Sequence, residues 1–354
     1  MKIRVAIVGV GNCCSSLIQA VEAAKVGNLD YGVAFDKIGG YAVGDIEFSA
    51  AFDVDRRKVE KDLSEAIYAK PNCTTKYFEV PRLLAKVEAG KLLDGVSAHM
   101  LDSVEVIEES KESTLSEISD ILKSTKTDLV ICYLPVGSDQ AAEFYAEAAV
   151  VAGCGFINCM PSSIANSTKF KEKFAQHKLP LLGDDIKSQI GSTAIHRSLI
   201  NVLQSKGAKI NTTYQLNIGG NTDFKNMRDP QRSKGKKFTK EVSLKHLFKD
   251  EVEIGVGPSD YIPHLRDYKV GYINIEGVAL LGMPFSIELR LKVEDSPNSA
   301  GVAINAIRAA KTALDRGIYG VVDKVCPYLF KNPPVQADEK ATFEWFNKFT
   351  DSVT

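Results

Sequence analysis

Apolar and polar positions along the chain fall into two regimes. In the first, short continuous apolar runs alternate with helical spacing. Residues 3–8, 46–52, 129–134, 155–158 and 179–182 read as strands buried on both faces. Helical periodicity follows these runs from about residue 15, over 55–69, 115–124 and 139–152, and from 194 onward. Strands and helices in alternation predict an α/β chain with a parallel, doubly wound sheet. Past Gly183 the pattern changes. Residues 213–218, 268–278 and 285–293 alternate in period two, as half-buried antiparallel strands do. Residues 225–250 are lysine-rich and polar, and 298–315 read as a long helix with one Ala, Ile and Val stripe. Residues 70–100 are weakly patterned, and 333–354 read as a loop, a short helix and a fraying end. The expected organisation is one doubly wound unit from residues 1–185 plus 295–354, with an α+β sheet unit inserted at 186–294.

A chain of 354 residues with 44% hydrophobic content can build a sizeable core in two such units. Its 44 basic and 45 acidic side chains leave a net charge of −1, which gives no footprint for nucleic acid or an anionic membrane. No apolar run reaches the 18 residues a membrane span needs. The opening MKIRVAIVGVGN leads into structure and lacks the long apolar core of a signal peptide. The seven cysteines, Cys13, Cys14, Cys73, Cys132, Cys154, Cys159 and Cys326, are odd in number and form no CxxC pair. They point to reduced, mostly buried thiols in a cytoplasmic protein, not to a zinc site.

Two local patterns carry chemistry. After the first strand comes Gly9-Val-Gly11-Asn12-Cys13-Cys14, then a helix. The first glycine permits a tight turn, the second lets backbone approach a pyrophosphate, and small Cys14 stands where glycine or alanine is usual. Asp53 ends the second strand, placed to accept from ribose hydroxyls and to favour NAD over NADP. The second pattern is GDDIKSQIGST, residues 183–193, at a strand-to-helix junction. A helix N-terminus presents N–H groups without partners and the positive end of a dipole, so this block reads as an anion site.

Further polar clusters follow: Asn217 to Asp223, Lys234 to Lys240, and Glu294 to Ser299, with Lys269 and Lys331 beside them. Each lysine alone is most simply a solvated charge. Together, GVGNCCSS, AAFDVD, LPVGS, GDDIKSQ, NIGGNTDF, KKFTK, DSPNSAG and KNPP occur in an order that resembles myo-inositol-1-phosphate synthase in its shorter archaeal and actinobacterial form. The likeness spans residues 3 to 335.

That resemblance implies a Rossmann-like NAD domain, a catalytic and tetramerisation sheet domain at 186–294, and a homotetramer. It implies cyclisation of glucose 6-phosphate to inositol 1-phosphate (3-phosphate in the other numbering). NAD is a cofactor unchanged over the cycle of oxidation at carbon 5, enolisation, aldol closure and reduction. Lys236 then matches the proton shuttle at the carbon 5 hydroxyl, and Lys331 a group near carbon 6. Lys240 and Lys269 match groups that polarise substrate oxygens and phosphate. The run SKGKKFTK permits Lys234 or Lys236 as the shuttle. Spacing to Lys240 selects Lys236, although Gly235 stands where the family has serine. Asp185, Asn217, Asn221, Asp223 and Asp295 match residues around substrate and nicotinamide. Ser188 and the backbone of 189–192 match a phosphate cradle. Asp62, Tyr145, Ser188, Asp223 and Lys236 match positions associated with NAD, beside Gly9, Gly11, Asn12 and Asp53. A divalent cation (Mg, Mn or Zn) or a monovalent one is also implied, with Asp184 and Asp185 as oxygen ligands. A conventional NAD dehydrogenase and a non-catalytic NAD-binding assembly protein are the competing readings.

Overall fold

The computed structural model describes residues 1–232, 244–245, 247–248 and 252–351. Lys234, Gly235, Lys236 and Lys240 lie outside these. Seven strands form an all-parallel sheet: β1 (Ile3–Val8), β2 (Ile46–Asp53), β3 (Val87–Ala89), β4 (Leu129–Cys132), β5 (Gly155–Asn158), β6 (Pro180–Leu182) and β11 (Gly320–Val321), in the order β11-β6-β5-β4-β1-β2-β3. Alternate residues of β1 serve opposite layers. Ile3, Val5 and Ile7 join Leu17, Ile18 and Val21 of α1 (Asn12–Lys25), while Ala6 and Val8 pack in the other layer with Phe156. Helices α2 (Leu63–Ala66) and α3 (Glu109–Glu112) are single turns at the β2–β3 side of the chain. Layered with Ala6 and Val8 are α4 (Leu115–Ser124), α5 (Asp139–Ala152) and α6 (Thr168–Gln176). Helix α4 starts at a capping box in which Thr114 and Glu117 satisfy each other's backbone N–H, and α5 stops at Gly153 in the left-handed region, φ 78°.

The second sheet holds β7 (Lys209–Gly219), β8 (Glu253–Tyr261), β9 (Tyr268–Val278) and β10 (Pro284–Glu294), in the order β10-β9-β7-β8. β9 pairs antiparallel with β10 and β7, as the period-two pattern requires, whereas β8 runs parallel to β7. Helix α7 (Ser192–Ser205) covers one face, setting Ile195, Leu199 and Ile200 against Ile210, Ile273 and Ile275. Between the sheets come α8 (Thr222–Asn226) and then α9 (Asp295–Asp315), whose Ala303, Ile304 and Ile307 return to the β1 layer. The chain closes with α10 (Cys326–Leu329) and α11 (Glu339–Asp351), and Phe346 of α11 is wholly buried in that same layer.

The expected helix over 55–69 shrinks to α2. Its backbone is drawn sideways: Glu60 N–H donates to Val87 O at 2.8 Å, and Val87 N–H donates to Lys61 O at 2.9 Å. Those bonds belong to a sheet edge and leave only 63–66 to coil. β3, α6 and β8 carry no clear periodic signal and emerge only in the structure.

Candidate active site

The carboxyl ends of the parallel strands open on a cavity of about 250 Å³. Its lining runs from the β1 turn, Gly9 to Cys13, through Asp53 after β2, Tyr133 to Pro135 after β4 and Cys159-Met160 after β5, to Asp185-Ile186 after β6. Ligands bind outside such strand ends. Gly9 sits at φ +90°, and a Cβ there would meet Tyr133 O at 2.8 Å, so only glycine fits. A Cβ on Gly11 would meet nothing within 4 Å; it borders open space that a ligand's phosphates can fill. Asp53 braces this turn. Its carboxylate accepts from Val10 N–H at 2.8 Å and from the N–H groups of Val54 and Asp55, with Lys58 Nζ 3.6 Å away. Asn12 Oδ1 accepts from Cys73 and Thr74 N–H, tying the 72–75 segment to the start of α1. Tyr145 reaches the same cavity from α5, packs on Phe52 and accepts from Lys91 N–H at 2.7 Å.

Asp62 does not join them. It caps α2, accepting from Ser64 N–H at 3.0 Å and from Leu83 N–H at 3.1 Å, and it lines neither cavity.

A second, smaller cavity lies against the second sheet and α7. Ser188, Gly191 to Ala194, Arg197, Gln215, Asn217, Lys187 and Glu339 line it. Five residues line both cavities: Ser188, Asp223, Lys269, Asp295 and Lys331. The two spaces therefore meet where the lysines stand. Lys269, arriving on β9, is ion-paired with Asp295 at the start of α9. Lys331 Nζ lies 2.9 Å from Asp185 Oδ1. The strap carrying Lys331 pairs with the 184–187 backbone: Lys331 N–H donates to Asp185 O at 2.7 Å, and Lys187 N–H donates to Leu329 O at 2.8 Å. In this way the KNPP segment is stitched onto GDDIKSQ from 146 residues away.

The start of α7 lines the smaller cavity, and Gly191 supplies no side-chain cap to its first turn. Ser192 Oγ and Asn217 Oδ1 are buried there without a hydrogen-bond partner among the described residues. A buried polar atom left unpaired is costly: the Ser192 hydroxyl, a donor beside a bare helix N-terminus, fits an anionic group, and Asn217 Oδ1, an acceptor, fits a hydroxyl of the same ligand. A Cβ on Gly271 would come 2.6 Å from Ser192 Oγ and 3.2 Å from Asn217 Oδ1, so the glycine keeps this corner open. Two of the backbone N–H groups expected in the cradle are already paired. Gln189 N–H donates to Asn298 O at 2.9 Å and Ile190 N–H to Asn298 Oδ1 at 2.6 Å, which commits both to the protein. Ser188 and residues 191–194 line the cavity there.

Asn221 lines the larger cavity while capping α8, accepting from Asp223 and Phe224 N–H and donating to Asp267 Oδ1 at 3.0 Å. Asp267 went unnoticed in the sequence. Buried and close to Asp295, its carboxyl is pushed up to about 7, while it accepts from Ser296 N–H and Oγ. Lys58, Arg197 and Glu339 were also missed. Arg197 alone left a signal, lying one helical turn beyond Thr193 on the same face. Burial lowers the Lys187 ammonium despite Glu339, which lies 3.3 Å from it and 3.5 Å from Arg197.

The two aspartates expected to ligate a metal have other duties. Asp184 is wholly buried, and its oxygens accept from Asn158 Nδ2, Ala165 N–H and both nitrogens of Asn166 at 2.7–3.1 Å. Burial pushes its carboxyl up to about 6 against the pull of those donors. It ties the end of β6 to the end of β5 and the loop that follows it, and lines neither cavity. Among the described residues, no group of three or more His, Cys, Asp or Glu side chains gathers as metal ligands.

Fold and site together define an α/β protein with a dinucleotide-type cleft joined to an anion pocket through paired lysines. The family model for myo-inositol-1-phosphate synthase matches residues 191–296. The chain is 44% identical to the inositol-3-phosphate synthase of Corynebacterium glutamicum, covering 98% of each chain. It is 43% identical to that of Mycolicibacterium smegmatis, over 97% of this chain and 96% of the other. A myo-inositol-1-phosphate synthase-related protein from Thermotoga maritima superposes with a TM-score of 0.85 at 25% identity, over 99% of this chain and 98% of the other. The chain belongs to the inositol-3-phosphate synthase family.

Proposed function

We propose that this chain cyclises D-glucose 6-phosphate to 1D-myo-inositol 3-phosphate, with NAD in the larger cavity and the sugar phosphate in the smaller. The observation that carries this reading is the merging of the two spaces at Ser188, Asp223, Lys269, Asp295 and Lys331. NAD, held by the β1 turn, would supply reversible hydride chemistry at carbon 5 and end the cycle unchanged. The chain's own residues do the rest. The β1 turn takes the pyrophosphate, Asp53 orients that turn, and Ser192 with the first turn of α7 holds the substrate phosphate. Lys269 and Lys331 offer cationic donors to sugar oxygens that gain negative charge during enolisation and ring closure, an effect worth about 3 kcal/mol per donor. Asp295 and Asp185 hold those ammonium groups in place. Lys236 is the proton shuttle in this scheme, with Lys240 a second polarising group. Pinning both ends of one sugar in reacting geometry removes much of the entropic cost of closure.

Incubation with glucose 6-phosphate and catalytic NAD should yield periodate-labile inositol phosphate. Stoichiometric NADH in its place would establish a conventional dehydrogenase, and neither product would favour a non-catalytic NAD-binding protein. K236A should abolish turnover with the fold intact; wild-type activity in that variant removes Lys236 from its role. Turnover across Mg, Mn, Zn and potassium, before and after chelation, assigns the cation. Assembly as a homotetramer is part of this reading. Tyr214, Leu216 and Tyr272, each 40–41% exposed, put apolar surface on the outer face of the second sheet, and Leu216 pairs with Tyr272 across the strands. A monomeric mass by sedimentation would defeat it.

A further inference from the structure

A buried histidine stands directly behind the anion corner. His196, on α7, is wholly enclosed. Its Nε2 lies 2.6 Å from Thr213 Oγ1, and its Nδ1 lies 3.4 Å from Gln215 Oε1. Gln215 Nε2 is 3.3 Å from Thr193 Oγ1, and Thr213 Oγ1 is 2.7 Å from Asn274 O. Gln215 and Thr193 line the anion cavity; His196 does not. The four side chains thus form one line from the interior of the second sheet to the pocket wall.

A neutral imidazole carries one proton, so this line has two donor orders, and they differ in whether the one Thr213 hydrogen goes to Asn274 O or to His196. In the first, Thr213 donates to Asn274 O and His196 donates from Nε2 to Thr213. Nδ1 then accepts from the Gln215 amide, turned about, and Gln215 accepts the hydroxyl hydrogen of Thr193. That hydrogen points away from the pocket. In the second, Thr213 gives up its bond to Asn274 O and donates to His196 Nε2, and His196 donates from Nδ1 to Gln215 Oε1. Gln215 donates to Thr193 Oγ1, which frees the Thr193 hydroxyl hydrogen for a ligand. An anion favours the second order, because only it turns Thr193 into a donor toward the pocket.

We propose that His196 and Gln215 are a tautomer relay that makes the Thr193 hydroxyl a hydrogen-bond donor to the phosphoryl group of the substrate. His196 is a positioning residue, acting through Gln215 without touching substrate. The identity of the phosphoryl compound rests on the functional reading above; the relay itself rests on the geometry.

On the wild-type protein, nitrogen NMR of labelled histidine should show His196 move from the Nε2–H to the Nδ1–H form as inorganic phosphate or glucose 6-phosphate is added. An unchanged tautomer at saturating phosphate overturns the relay. This measurement needs no turnover, so it decides the relay even if glucose 6-phosphate proves not to be the substrate. In kinetics, H196L should raise KM for glucose 6-phosphate about tenfold, the scale of one hydrogen bond to a charged group, with kcat within about twofold. H196N, which restores a donor where Nδ1 stood, should recover most of the loss. T193V should match H196L, and the double variant should be no worse than either single. Additive losses, or no recovery by H196N, would mean that His196 serves packing alone. If H196L fails to fold, H196N and the wild-type titration still decide.

Discussion

The two cavities are built by opposite means. The larger one is lined from the ends of the parallel strands, and the turn at its centre, Gly9 to Gly11, is three consecutive residues. The smaller one is made of side chains delivered from α7, β7, β9, α9, the strap at 330–332 and α11. A turn such as Gly9 to Gly11 fixes its own geometry, so it is legible locally. Lys269 and Lys331 acquire meaning only when the fold brings Asp295 and Asp185 to them. The first cavity is a property of a motif, and the second is a property of the tertiary structure.

The largest effect that can break this contrast lies at the junction. K269A and K331A should each cut kcat by about 10²–10³-fold, the scale of removing one preorganised donor. NAD affinity, measured by fluorescence titration, should stay within a few-fold of wild type. A variant that loses cofactor binding instead of turnover would show that the lysines belong to the nucleotide cleft.

The next pair of variants sharpens the contrast within the cleft. G9A forces a Cβ to 2.8 Å from Tyr133 O in a left-handed backbone, and should cost about 1–3 kcal/mol of stability in urea unfolding. G11A places its Cβ in open space, so stability should hold within about 0.5 kcal/mol. NAD affinity should nonetheless fall by about tenfold or more, because the methyl group fills the space for the pyrophosphate. Equal stability losses in the two variants would deny Gly11 its ligand-facing place.

A smaller effect is expected at the wall of the anion pocket. Glu339 neutralises Lys187 and Arg197 beside the place a phosphate would take. E339Q should lower KM for glucose 6-phosphate by about threefold, because the cations lose a competing carboxylate. A raised KM would show that Glu339 holds the two cations in position and does not compete with the ligand.

How far the sequence reveals this molecule follows the same divide. β1, β4, β5 and the helices over 115–124 and 139–152 were legible because buried runs, caps and Gly153 act over short range. Residues 55–62 misled because bonds to Val87, far along the chain, outcompeted the helix that their spacing suggests. β8, with Gly255, Gly257 and Pro258 in its run, gains its place from pairing with β7. In the site, the glycine turn and the α7 junction could be read directly. Asp184 could not be told from Asp185: adjacent in sequence, they face opposite ways, one into loop N–H groups and one toward Lys331. Asp267 and His196 gave no signal, since a lone buried acid or imidazole looks like any other polar residue until its partners are known.

The smallest effect probes the wall that sequence could not show. Burial pushes the His196 imidazole down to about 4, well below the roughly 6.5 of a free histidine. Between those values the unfolded chain binds a proton that the folded chain refuses. His196 therefore contributes a stability term that is fully present above about pH 6.5 and is lost as pH falls toward about 4. Urea midpoints measured at pH 7 and pH 5 should decline for wild type, and the decline should be smaller in H196N, which has nothing to titrate there. An equal decline in both proteins would mean that His196 takes up its proton without cost. The imidazolium would then fill both donor positions of the line to Thr213 and Gln215, and the Thr193 hydroxyl would be free for the anion without a tautomer change wherever His196 is charged.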